Sequence, residues 1–373
     1  MTLLSESRLM VVAPHPDDET LACSVVLQRA VRAGAAIRIV YATDGDNNPW
    51  PQRVIERRWR IDSAGRKRWG ALRRAETIAA LRALGVDPSD AQFLGLPDQG
   101  LTNLLCTDCR FMVRRFSEII FNWSPTHLLA PSIFDTHPDH NALAAALRLA
   151  LSGIPQSSLS VWSYLVHGES RAFFAEAKPV SQSQAESDTK LEAILCHKSQ
   201  LTLSGKRFLR YKDEPERFVK FEANAATAID GAIRALTRNE DVLHLKIQLS
   251  RRLTCIGPTT LYLLGRDHEG APRCLHTQLP GRSSKIHMRN CQSDFCASGR
   301  YQGDAFGGNL TIAVDNFSPA HPVFVKLKRR SLFFDEAGWL QTSPRRYKRY
   351  WNELAAVASS NHHQGLSSGE FWT

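Results

Sequence analysis

A histidine at position 15 stands in the stretch VVAPHPDDET (11–20), directly after an apolar run and just before three acids, Asp17, Asp18 and Glu19. A second stretch, FDTHPDH (134–140), carries His137, Asp139 and His140 at similar spacing. Acids that follow a proline suit a first helical turn, where the helix dipole favours negative charge. That accounts for Asp17 to Glu19 but not for His15. Imidazole and carboxylate three residues apart on a tight turn are ligands for one divalent ion. Zn²⁺ takes both at about 2.0–2.2 Å, and a catalytic zinc uses three protein ligands and leaves a place open. His15 and Asp18 supply two; the third must come from elsewhere, and His137 and His140 are the candidates.

The elements that must bring these loops together follow from periodicity. Apolar runs at 8–13, 36–43, 91–97, 126–132 and 159–166 read as strands. Helical patterns at 21–34, 68–86, 101–125 and 141–153 alternate with them. This alternation predicts an α/β fold, a Rossmann-like open parallel sheet with helices on both faces, whose ligands bind beyond the carboxyl ends of the strands. His15 to Glu19, Thr43 to Asp46, Asp98 and Asp135 to His140 each follow a predicted strand, so four loops place polar residues on one edge of the sheet.

Beyond about residue 222 the pattern changes to short alternating runs, including HLKIQL, TTLYLLG, SKIHMRN and FVKLKRRSLFFD. These predict a mainly antiparallel β module, a small sandwich or barrel. The expected division is a catalytic domain over 1–222, a β-rich accessory domain over 223–345 and a helical, flexible tail over 346–373.

With 373 residues, 43% hydrophobic and 23% charged, the chain has material for a large core. No apolar run approaches the ~20 residues of a membrane span. The first residues lack the pattern of a signal peptide, and eight scattered cysteines show no secreted framework. A cytoplasmic location is expected, with the inner face of the membrane as a peripheral site. The net charge of +10 draws anionic partners without naming one. Much of it falls in 52–74, interleaved with Trp59 and Trp69 and preceded by Trp50. A solvated face and a recognition surface for phosphate or an anionic lipid carrier are both open readings. No nucleic-acid motif accompanies the run, and a nucleic-acid partner is not expected. Cys106 and Cys109 fall inside a helical pattern and read as packing residues, as do His127 and His197.

HPDDE after a first strand and HPDH after a later one resemble the PIG-L/LmbE-like superfamily of zinc-dependent N-acetylglucosaminyl de-N-acetylases. TDG (43–45), RRAE (73–76), GLPDQGL (95–101) and KLEAILCHKSQL (190–201) stand in the matching order. The resemblance covers roughly 8–220. It implies that His15, Asp18 and His140 hold the metal and that Asp17 is the general base. It also implies that His137 is the acid and oxyanion partner, oriented by Asp139, and that Asp44, Arg74 and Asp98 lie near the sugar. The implied cofactor is one Zn²⁺, although Fe²⁺ or Co²⁺ suits the same donors. The implied substrate is an N-acetylated amino sugar, with a phosphate- or lipid-bearing aglycone or a nucleotide-linked one. The chemistry agrees: zinc lowers the pKa of water toward ~7 and polarises a poor electrophile such as an acetamide. Two rival readings are a metal-dependent hydrolase of another acyl or ester group on a sugar, and a non-catalytic glycan-binding protein.

Overall fold

A computed structural model describes residues 2–153, 159–220, 226–229, 231–239, 241–249, 258–331, 334–335 and 338–344. The predicted tail over 346–373 lies outside them. The first part runs β1 (Arg8–Ala13), α1 (Asp18–Arg32), β2 (Ala36–Thr43), α2 (Pro49–Glu56), α3 (Ser63–Ala83), β3 (Ala91–Leu96), α4 (Leu101–Thr107), α5 (Cys109–Trp123), β4 (His127–Pro131), α6 (Pro138–Leu151) and β5 (Ser160–Tyr164). It continues through α7 (Arg171–Glu176), β6 (Lys178–Pro179), α8 (Gln184–Cys196), α9 (Lys198–Arg210) and β7 (Arg217–Lys220).

These strands form one sheet in the order β3-β2-β1-β4-β5-β7-β6. β1 pairs in parallel with both β2 and β4. The chain moves outward from β1 in one direction and resumes at β4 in the other, so the switch point lies between them. A crevice opens there, because the connections leave in opposite directions. The loop after β1 carries His15 and the loop after β4 carries His137 and His140, which is why residues 125 apart in sequence become neighbours. The five-stranded centre is parallel, as expected. β7, which matches none of the expected strands, pairs antiparallel with β5 and closes that edge together with β6.

Both faces of the sheet are covered. Met10, Val12, Val40 and Leu128 pack with α4, α5 and α6. Leu9, Val11, Ile39 and Tyr41 pack on the other face with α1, α3, α8 and α9. β1 is buried on both sides, and so reads as an unbroken apolar run rather than an alternating one.

The second part contains β8 (Ile233–Asn239), β9 (Val242–Gln248), β10 (Thr260–Arg266), β11 (Pro272–Gln278), β12 (Arg282–Arg289), β13 (Phe295–Asp304), β14 (Gly307–Ala313), β15 (Phe324–Lys328), β16 (Arg330–Ser331), β17 (Phe334–Asp335) and β18 (Leu340–Gln341). Nine of them make a single sheet, β18-β15-β10-β11-β12-β13-β14-β9-β8. Its pairings are antiparallel. The two edges approach each other, since Leu236 and Arg238 of β8 line a cavity with Gln341 of β18. β16 and β17 form a separate two-stranded ribbon. Leu264, Cys274, Phe324 and Trp339 of this part share one core with α4, α5 and α6.

Candidate metal centre

β1 ends at Ala13 and the chain turns through Pro14, His15 and Pro16 into α1. Asp17 caps the turn at φ 121°, a backbone region that residues with a Cβ seldom occupy. The strain is held by neighbours: Leu21 N–H donates to Asp17 O at 2.9 Å, and Thr43 N–H ties the Pro14 carbonyl at 3.0 Å. Backbone strain of this kind collects where a side chain must be aimed.

Three atoms meet across the crevice. His15 Nδ1 lies 3.2 Å from His140 Nε2 and 3.3 Å from Asp18 Oδ2, and His140 Nε2 lies 3.2 Å from Asp18 Oδ2. Bonds of about 2.0 Å spread at tetrahedral angles set ligand atoms about 3.3 Å apart, so this triangle fits one face of a zinc-sized site. All three residues are buried.

The far ring nitrogens lie beside carboxylates, which favours a proton on each. His140 Nδ1 is 3.0 Å from Asp135 Oδ2. His15 Nε2 is 3.3 Å from both Asp98 Oδ1 and Asp139 Oδ2. With protons on those nitrogens, the lone pairs of His15 Nδ1 and His140 Nε2 face each other, as ligation needs. Burial works against charge on His140, yet Asp135 and Asp18 raise it to about 9. A place that attracts a proton so strongly also attracts a divalent cation, and the donor set fits one.

Asp17 and Arg73 complete the wall. Arg73 Nη2 donates to Asp17 Oδ2 at 2.7 Å and Nη1 to the Gly45 carbonyl at 3.0 Å. Gly45 has φ 61°, and a Cβ there would stand 1.8 Å from Arg73 Nη1. The glycine of TDG is therefore what lets the guanidinium reach the crevice. Burial pushes Asp17 up to about 6 against the pull of Arg73.

His137 caps α6, and its Nδ1 accepts from Asp139 N–H at 3.2 Å, which leaves the proton on Nε2. Burial first, then the neighbouring imidazoles, push it well below the usual histidine range.

Several expected placements change. The Asp139 carboxylate does not hold His137; it reaches His15 and accepts from the Gln99 and Leu101 N–H groups at 2.6 and 3.0 Å. Asp98 lines the cavity but spends its oxygens on His15 and on Asn47 N–H at 2.6 Å. Arg74 and Asp44 form a two-point ion pair with each other, and neither is among the residues lining the cavity. Arg73, one residue earlier, is. Asp135 was expected on the polar edge but without a role, and His167 was not expected there; His167 Nδ1 lies 3.5 Å from Asp135 Oδ1. His197 is buried against Thr20 Oγ1 at 3.1 Å, a packing role as expected.

The cavity over the triangle has a volume of about 360 Å³ and is walled by Asp17, Arg73, His137, Trp50 and Phe334. It adjoins a larger cleft of about 1180 Å³, sharing His167, Arg207 and Phe334 and extending past Phe173, Phe174 and Tyr211. Phe334 belongs to β17 and lies 6.0 Å, ring to ring, from His137.

Residues 10–151 match the family model described as PIG-L, GlcNAc-PI de-N-acetylase. The chain is 27% identical over 198 residues to a probable N-acetyl-alpha-D-glucosaminyl L-malate deacetylase 2 of Bacillus cereus, covering 52% of this chain and 84% of that protein. It is 41% identical over 100 residues to a 1D-myo-inositol 2-acetamido-2-deoxy-alpha-D-glucopyranoside deacetylase of Mycobacterium sp. strain KMS. That match covers 26% of this chain and spans only 30% of the mycobacterial protein. Among solved structures, the N,N'-diacetylchitobiose deacetylase of Pyrococcus horikoshii aligns with a TM-score of 0.45 at 20% identity, covering 58% of this chain and 84% of that one.

Proposed function

We propose, from the premise that residues 10–151 are a PIG-L domain, that this protein is a zinc-dependent hydrolase removing the N-acetyl group from a GlcNAc-containing glycoconjugate. The observation that carries the reading is the triangle of His15, Asp18 and His140 beside the buried Asp17. The deacetylase names of the relatives support the reaction class.

In this reading His15, Asp18 and His140 hold the ion. When bound, it would polarise the acetyl carbonyl and lower the pKa of water toward neutrality. Asp17 takes a proton from the attacking water, and Arg73 fixes the carboxylate in place for that transfer. His137 donates its Nε2 hydrogen to the oxygen that gains negative charge. The proton that Asp17 takes from the water balances the one given to the departing nitrogen, for which His137 is the acid the resemblance implies. Asp139 and Asp98 orient His15, and Asp135 orients His140. The smaller cavity has room for one amino sugar, and the adjoining cleft has room for a substantial aglycone, phosphate-bearing, lipid or nucleotide.

The test is Asp17→Asn. The variant is expected to retain its metal by elemental analysis and to lose about 10²-fold or more in turnover, read as acetate released from a panel of N-acetylated amino sugars and conjugates. Near-normal acetate release by the variant would remove Asp17 as the base. Release of acetate from O-acetyl sugars alone would replace the N-deacetylase reading.

A further inference from the structure

We infer that α2 and the segment leading into α3 form a docking surface for an anionic membrane at the rim of the metal cavity. The inference concerns where the protein works and does not depend on the reaction proposed above.

α2 buries Pro51 and Gln52 and packs against α9. Its other side is turned to water with side chains that water does not favour. Trp50 is 59% exposed, Val54 52%, Ile55 43%, and Trp59 just beyond the helix 72%. Single exposed apolar residues are ordinary, but four within ten positions form a patch that needs a partner. Arg53 lies between the two indoles, 4.8 Å from the Trp50 ring and 4.7 Å from that of Trp59.

The same segment is strongly basic. From Arg53 through Arg68, both included, stand seven cations and only two carboxylates. Neither carboxylate is idle: Glu56 pairs with Arg68 at 3.2 Å, and Asp62 accepts from Gly65 N–H at 2.7 Å as the cap of α3. Arg57, Arg58, Arg60, Arg66 and Lys67 are exposed. Among the described residues, none of these five has a carboxylate partner.

A nucleic acid or an acidic protein would use the cations but has no use for Val54 and Ile55. A bilayer surface uses both. Aliphatic side chains enter the headgroup boundary, tryptophans settle at the interface, and arginines meet lipid phosphates. No helix among the described residues is long and apolar enough to cross a membrane, so attachment here would be peripheral. Trp50 also lines the metal cavity, so docking would turn the mouth of the site toward the lipid.

The experiment is cosedimentation of the full chain with vesicles of phosphatidylcholine alone, or with about one-quarter phosphatidylglycerol, at about 0.1 M salt. Binding is expected only to the anionic vesicles and is expected to weaken as salt rises. Arg57→Glu, Arg58→Glu and Arg60→Glu together should abolish it. Val54→Ser, Ile55→Ser and Trp59→Ala together should weaken partitioning about tenfold with an unchanged melting midpoint. Equal binding to neutral vesicles, or none to either, overturns the inference. So does full affinity in the apolar triple variant. If a DNA duplex displaces the vesicles while the apolar variant binds them like the parent, the patch is a polyanion site instead. The readout needs no substrate, so failure here leaves the proposed reaction untouched, and failure of the reaction leaves this result standing.

Discussion

Arg73 and Arg74 are adjacent in sequence but differ in surroundings. About 100° separates successive residues on a helix, so one of the two enters the crevice and the other leaves it. Arg73 is buried and grips Asp17; the Arg74 side chain is 44% exposed and grips Asp44. Arg73→Ala is therefore expected to cut kcat/KM by about 10²-fold, as misplacing a catalytic group does, while Arg74→Ala stays within about twofold. Comparable losses in the two variants would show that the wrong face of α3 has been credited. Strand ends and residue chemistry made His15 and Asp18 legible as a ligand pair and left His137 and His140 as alternatives for the third place, between which only the resemblance chose. The sequence assigned no role to Arg73, Asp135 or His167. Which of two neighbouring arginines points inward depends on the rotation of α3, and the meeting of Asp135 with His167 depends on how the loops after β4 and β5 pack together. Motif spacing carries neither.

At the scale of elements, the buried strands were the readable ones. β1, β2 and β4 are continuous apolar runs because helices cover both faces of their sheet. β7, β8 and β13 are partly exposed and polar, and escaped notice. α2 contains two prolines and is still a helix, because Pro49 stands at its first position, where a missing N–H costs nothing. The predicted helix over 101–125 is two helices, since Asp108 interrupts it and its Oδ1 accepts from Phe111 N–H at 3.1 Å.

Contacts between elements also set an acid limit. Glu186 completes the capping box of α8 by accepting from Ser183 N–H, and pairs with Arg29 of α1 at 2.8 Å and with Arg32. The Arg29 hydrogen bond, foremost, holds its carboxyl down at about 2 against an ordinary 4.5. A carboxyl lowered on folding stabilises the protein above its unfolded value, and that contribution fades as pH falls from about 4.5 to about 2. Both arginines are well exposed, so solvent screening limits the effect to about 1 kcal/mol. Urea denaturation of Glu186→Gln should show a deficit of that size near pH 6, closing toward pH 2. A deficit independent of pH would mean that Glu186 acts through packing or capping rather than charge.

At the scale of the whole molecule, the antiparallel sheet is tied into the loop after β4. Asp335 meets Lys326 at 2.9 Å with both side chains fully buried, and accepts from Asn141 Nδ2 at 3.2 Å. Its own N–H donates to the Thr136 carbonyl at 2.9 Å, and Trp339 N–H donates to that of Ile133 at 3.1 Å. These ties hold Phe334 over the cavity. They also explain why its presence there was invisible in the sequence: Phe334 is about 200 positions from the residues it covers.

α6 lies between the two sheets, and every one of its fourteen residues is buried. A helix with no wet side has no surface along which the chain can be divided. Calorimetry should accordingly give one cooperative transition spanning both halves, and a fragment ending near 222 should expose the alanine-rich flank of α6 and aggregate. Two well-separated melting peaks, or a monodisperse and thermally stable fragment, would show that the halves stand independently. If they do not, then the antiparallel sheet is as necessary to the loops that carry His15 and His140 as the strands before them, and damage to either would undo the other.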